Sequence, residues 1–182
     1  MDIQLIEKAL NKDKKAFKNL YEEYNSKVYR TAYIILNNTS MAEDVLQEVF
    51  MNLYQKGSKL KHYEAFESWL YKITVNSSMN YIKKDKKVSF IGDEKVIDAI
   101  DEAESEGTPE DMMLGKEFSS EIMNYIYELP AQHRATVILF YYNELSIKDI
   151  SSIMDCSEGT VKSRLFYGKR YLKDKLVERK VI

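Results

Sequence analysis

Leu145 to Leu172 reads LSIKDISSIMDCSEGTVKSRLFYGKRYL, and its spacing predicts a short helix, a tight turn and a longer basic helix. Ser146 is placed to cap the first helix, and Asp149, three residues on, can reach back in a capping box. Ile147, Ile150 and Ile153 recur every third residue and give that helix one apolar face. Asp155 falls where the chain must leave the helix, and Asp tolerates the left-handed backbone such a stop often needs. Ser157 is a second N-cap. The helix after it packs through Val161, Leu165, Gly168, Leu172 and Leu176, leaving Lys162, Ser163, Arg164, Phe166, Tyr167, Lys169, Arg170 and Lys173 on its other faces. Two helices joined by so short a turn, the second basic outside and apolar inside, describe a helix-turn-helix. From Glu158 to Ile182, eight Lys/Arg stand against three Asp/Glu, a net of +5. That excess favours a DNA reader over a helical hairpin with an ordinary solvated face. In that reading Lys162 and Arg164 meet phosphates or guanine edges, and Phe166 or Tyr167 touches thymine methyls.

The rest of the chain divides by charge. The overall formal charge is −2, but residues 1–87 carry +4, residues 88–115 carry −8 and residues 116–182 carry +2. Two positive modules joined by an acidic, flexible strap are expected. The single cysteine, Cys156, and two distant histidines, His62 and His133, offer neither an intramolecular disulfide nor a metal-ligand cluster. No metal and no cofactor is expected.

Within residues 1–87, helical periodicity recurs and no period-two alternation is found. Ile3, Ile6 and Leu10 predict a short helix ending near Asn11, and Ala16 to Leu36 a long one. Asn37-Asn38 breaks it; Ser40 and Glu43 are expected to form a second capping box, and Gly57 a C-cap. Phe66 to about Lys83 gives another long helix, with Trp69, Leu70, Ile73 and Ser77 inward. Thr108-Pro109-Glu110 reads as a cap followed by proline at the first helical position, opening a helix to Leu129. Ala131 to Tyr142 follows Pro130 and precedes the helix-turn-helix. The fold class is therefore all-α: two small helical domains, 1–87 and 116–182, joined by the linker 88–115.

Four runs in series carry a resemblance: AEDVLQEVF (Ala42–Phe50), SWLYKITVN (Ser68–Asn76), ELP (Glu128–Pro130) and SEGTVKSRL (Ser157–Leu165). In order and spacing, over essentially the whole chain, they resemble the extracytoplasmic-function (ECF) sigma factors, the two-domain initiation factors of bacterial RNA polymerase. The resemblance implies that residues 1–87 are the family's domain 2 and residues 116–182 its domain 4. It implies that Asp44, Gln47 and Glu48 dock on the coiled-coil clamp of core RNA polymerase, where an acidic, amide-bearing face suits a basic helix. It places Asn76 at the pocket for an extruded base of the −10 element, with Lys72, Asn80, Lys83, Lys84, Lys86 and Lys87 along the bared backbone. Leu60 and Lys61 begin the base-capturing loop, Leu60 to Glu64, where relatives often place an aromatic residue or a glycine-containing turn. Ser157, Thr160, Lys162, Ser163, Arg164, Phe166, Tyr167 and Arg170 become the readers of the −35 element in promoter DNA. The strap is implied to thread the channel that later holds nascent RNA, and an anti-sigma factor, often membrane-anchored, to be the regulator.

Neither a signal peptide nor an apolar run long enough to span a bilayer is legible, so a cytoplasmic protein without membrane insertion is expected. Two other classes compete with this reading. A stand-alone helix-turn-helix regulator with a ligand-binding or dimerising N-terminal domain leaves Asn76 and the lysine-rich end of the front module without a task. An enzyme lacks a legible nucleophile–base pair or phosphate loop, so catalysis of its own is not expected.

Overall fold

The computed structural model describes residues 2–84 and 120–178, which belong to two compact units dividing after Asp85. The strap 88–115, Lys86, Lys87 and the expected cap at Thr108-Pro109-Glu110 lie outside the described residues. Among the described residues every regular element is helical.

The first unit holds α1 (Ile3–Leu10), α2 (Lys14–Leu36), α3 (Thr39–Lys56) and α4 (Phe66–Lys84), with 3-10 turns at Gly57–Lys59 and Tyr63–Ala65. Asp13 opens α2 by accepting the Ala16 amide at 2.8 Å. Asn37 closes it in the left-handed region (φ 50°), which sets Asn38 extended so that its side chain caps α3 by accepting the Met41 amide at 3.0 Å. The expected Ser40–Glu43 box is therefore corrected: the helix starts at Thr39, and Ser40 falls inside its first turn. Gly57 stands at the C-cap of α3 but in right-handed geometry (φ −58°). Its constraint is closeness. A Cβ there would stand 2.6 Å from Leu10 Cδ2, so the missing side chain lets α1 lie against the end of α3.

Leu20, Tyr24, Val28, Ala32 and Ile35 of α2 meet Val45, Val49 and Leu53 of α3 and Phe66, Leu70 and Val75 of α4 in one core. The inward face of α4 departs from expectation. Leu70 and Ser77 are buried, but so are Tyr71, Thr74 and Ser78, whereas Trp69 and Ile73 are half-buried. Thr74 donates to the Leu70 carbonyl (2.9 Å) and Ser78 to that of Thr74 (2.8 Å), so these hydroxyls enter the core without unmet hydrogen bonds. Tyr24 donates to Glu67 Oε1 at 2.8 Å and packs edge-on against Phe66. Burial, then that bond, raises its phenol well above the ordinary value.

The second unit holds α5 (Ser120–Glu128), α6 (Ala131–Tyr141), α7 (Ile147–Met154) and α8 (Glu158–Glu178). Pro130 starts α6, and Arg134 one turn later donates to the Tyr127 carbonyl at 2.8 Å, satisfying a carbonyl at the end of α5. Ile126, Leu129, Val137, Ile138, Leu139, Ile150, Ile153 and Val161 form the core. Gly168 brings α8 onto α6: a Cβ there would stand 2.7 Å from Val137 Cγ2. Tyr171 donates to Glu128, tying α8 to α5; burial, then that bond, pushes its phenol up to about 12.

Candidate nucleic-acid interface

The helix-turn-helix forms as its caps dictate. The Asp149 amide donates to Ser146 Oγ at 3.1 Å, and the Ser146 hydroxyl donates to Asp149 Oδ2 at 2.6 Å. Asp155 ends α7 in the left-handed region, φ 52°. Ser157 then accepts the Thr160 amide at 3.0 Å and shares a 2.9 Å contact with the Thr160 hydroxyl, so both hydroxyls serve the start of α8. Of the other expected upstream readers, Lys162, Phe166 and Arg170 are exposed at helical spacing and Ser163 is half-exposed beside them. Phe166 offers 37 % of its surface to solvent, apolar area that suits a thymine methyl. Arg170 lies 3.9 Å from Asp174, an exposed pair that opens at little cost. Arg164 and Tyr167 are half-buried instead. Arg164 Nη1 donates to Cys156 Sγ at 3.8 Å, and the Tyr167 ring packs edge-on against His133.

On α4, Asn76, Asn80 and Lys83 are exposed and Lys72 half-buried, and their spacing sets them along one stripe with Lys84 beside it. The half-buried Trp69 and Ile73 border that stripe, so an apolar edge runs along a row of amides and ammonium groups. Leu60 is half-buried and donates its amide to the Gly57 carbonyl (2.9 Å); Lys61 is exposed. The loop they begin packs near α1 and the start of α4. Asn76 lies ten residues beyond Phe66, about 15 Å along the helix. Loop and stripe are successive stations along α4.

Asp44, Gln47 and Glu48 come together on one wall of an open groove of about 350 Å³, with Met51, Asn52 and Gln55 below them and Tyr81 of α4 opposite. Burial, then the fields of Asp44 and Glu48, raises the Tyr81 phenol above its ordinary value. Met51, 59 % exposed, and Tyr81 were missed from sequence, because the groove exists only once α4 is laid beside α3.

These surfaces sit where two family models match, Sigma-70 region 2 over residues 20–88 and Sigma-70 region 4 over residues 119–172. Over 169 residues the chain is 31 % identical to the ECF RNA polymerase sigma factor SigW of Bacillus subtilis, covering 90 % of each protein. The chain belongs to the ECF sigma factors. The ECF sigma-E factor of Haemophilus influenzae is 32 % identical over 96 % of this chain and 95 % of its own. Two solved structures share the fold. One is the sigma factor RpoE in complex with the anti-sigma factor NepR from Bartonella quintana (TM-score 0.67, 21 % identity, 89 % of this chain and 97 % of that one). The other is CnrH in complex with the cytosolic domain of CnrY (TM-score 0.69, 15 % identity, 97 % of each chain). ECF membership accounts for both modules, which the stand-alone regulator did not.

Region 2 of this ECF sigma factor spans the groove and the amide stripe, and region 4 spans the helix-turn-helix. No described helix is long and apolar enough to cross a membrane. Lys162→Ala is expected to weaken binding to an upstream-element duplex about tenfold. It should also reduce the slope of log affinity against log salt by about one ion. Titrations at several salt concentrations check this, and an unchanged slope removes Lys162 from the phosphate contacts.

Proposed function

We propose that this chain binds core RNA polymerase and directs it to specific promoters, reading an upstream element through α8 and opening the downstream element along α4. The observation that carries this reading is the occurrence of region 2 and region 4 in one ECF chain, each with an outward row of DNA-compatible side chains. On α8 the row is Lys162, Ser163, Phe166 and Arg170, with Ser157 and Thr160 at its start; Arg164 and Tyr167 brace the helix from its half-buried side. On α4 it is Lys72, Asn76, Asn80, Lys83 and Lys84, with Leu60 and Lys61 at the loop. The Asp44, Gln47 and Glu48 wall is the dock for a basic helix of the polymerase. Residues 1–87 and 116–182 are the working domains, and the net −8 of residues 88–115 suits a path through a channel built for RNA. Chemistry is left to the polymerase, and the chain works in the cytoplasm. An anti-sigma factor is its regulator, a partner suggested by the RpoE–NepR complex; a membrane-anchored form of it agrees with a CnrY that has a cytosolic domain.

The decisive experiment adds the purified chain to core polymerase on fragmented DNA of its own genome and maps transcript starts. Discrete starts that depend on the chain are expected; their absence sinks the reading. Asn76→Ala should leave promoter docking intact and slow strand opening about tenfold, the loss of about one hydrogen-bonded base contact. A 2-aminopurine probe in the downstream element reports it, and opening at the normal rate removes Asn76 from the base pocket.

A further inference from the structure

His133 has no task in the reading above, yet it occupies a demanding place. It lies on α6 under α8, only 6 % exposed, with its ring edge-on to that of Tyr167 (centroids 6.3 Å apart, planes at 83°). Its buried Nδ1 meets no hydrogen-bond partner among the described residues. A neutral imidazole tolerates such a site as a flat, mostly apolar ring, whereas an imidazolium there would bury a charge without an acceptor.

The charges around it make matters worse for a proton. From α8, the guanidinium of Arg164 acts on the ring and repels a positive charge. From α6 itself, Arg134 is buried and turned to the Tyr127 carbonyl of α5. Among the described side chains of the unit, the acids are engaged elsewhere or exposed. Glu128 takes the Tyr171 hydroxyl, Asp149 is tied to Ser146, and Asp174 and Glu178 pair with Arg170 and Lys175. Glu144, Asp155 and Glu158 are exposed. α7 turns Ile150 and Ile153 into this core, while its Lys148 is exposed.

We propose that His133 is a proton-operated latch beneath the recognition helix: neutral, it seats α8; charged by acidification, it unseats α8 and loosens the unit's hold on the upstream element. Burial, then Arg164, holds the imidazole below the ordinary histidine value of 6.5 in the folded unit. Below that value the unfolded unit therefore binds more protons than the folded one. Stability is whole above about 6.5 and is lost as the pH falls, by up to about tenfold in the folding equilibrium per pH unit. The DNA half of the proposal rests on α8 being the upstream reader; the stability half does not.

The test uses the full chain with His62→Gln, so that one imidazole remains. Backbone amide protection factors, in which the intrinsic pH dependence of exchange cancels, are followed from about pH 7.5 to about pH 5.5. Protection in α6 and α8 should be flat above about 6.5 and fall below it, and His133→Phe should abolish the fall. An equal fall in His133→Phe, or none in the parent, overturns the latch. Should His133→Phe fail to fold, His133→Gln and an NMR titration of the imidazole in the parent decide; a midpoint at or above that of free imidazole overturns it. In parallel, the chain with His62 kept is loaded on core polymerase and footprinted at a promoter found by start mapping. Upstream protection is expected to weaken over the same pH range in this chain and to persist when His133→Phe is introduced into it. A pH-dependent exchange with a constant footprint rejects control of DNA while leaving the promoter reading intact. Absence of any footprint at any pH counts against that reading instead.

Discussion

Asp44→Lys is expected to lower the affinity of the chain for core RNA polymerase by about a hundredfold or more while leaving its fold untouched. Asp44 is exposed on α3 and lines the groove with Gln47, Glu48 and Tyr81. If the groove is the proposed dock for a basic helix, changing Asp44 removes one attraction and adds one repulsion. Like-charge juxtaposition at an interface costs several kcal/mol, and about 3 kcal/mol is already more than a hundredfold. An exposed helical substitution remote from caps and core moves stability by about 0.5 kcal/mol at most, so melting should be unchanged. The loss should shrink as salt rises, because screening weakens repulsion between rim charges. Glu48→Lys should act in the same direction, and the two together less than additively because they face the same partner. Fluorescence titration of labelled chain with core polymerase reads all of this. Wild-type affinity in Asp44→Lys would reject the groove as the dock.

The parts of this molecule that were legible in sequence are those decided within a few residues. The helix-turn-helix came through because each of its signals is local: Ser146 and Ser157 bond the amide three residues on, and Asp155 takes the left-handed stop. At the α2–α3 junction the Asn37-Asn38 break is legible, but the capping residue is Asn38 rather than Ser40. Asn38 and Ser40 are comparable caps on propensity, and the left-handed Asn37 decides between them by setting the entry angle. On α4, hydropathy placed Trp69 and Ile73 inside and overlooked Thr74 and Ser78. Those hydroxyls are satisfied by carbonyls of their own helix, so Thr74 and Ser78 can enter the core although hydropathy ranks them as polar. The same limit governed the candidate surfaces. Asp44, Gln47 and Glu48 share a face by spacing alone, but Tyr81 reaches them only through tertiary packing. Arg164 and Tyr167 look outward on a helical projection until α6 is laid beside α8 and His133 meets the Tyr167 ring.

Gly168→Val should cost the second unit about 2–3 kcal/mol and with it most upstream recognition. Gly168 is buried in the middle of α8, and a Cβ there would meet Val137 Cγ2 at 2.7 Å and Leu129 Cδ1 at 3.9 Å. Val137 is 1 % exposed on α6, so it has no solvent to yield into. Valine adds two methyl groups on a stiff χ1, which leaves few ways around the clash. Its gain in helix propensity over glycine, about 0.5 kcal/mol, is smaller than the overpacking cost. A unit this small has only a few kcal/mol in hand, so the loss is a large share of its stability. Differential melting should show residues 120–178 unfolding earlier, and with the proposed dock in the other unit, polymerase affinity should be kept. Gly168→Ala isolates the geometry: a propensity gain of about 1 kcal/mol is set against the displacement of one buried methyl group, and a net loss means that Val137 cannot move. Combining Gly168→Ala with Val137→Ala removes the Cγ2 that the new Cβ meets. Stability above the sum of the two single effects is then expected, and strict additivity would show that the two helices are not held at this distance in solution.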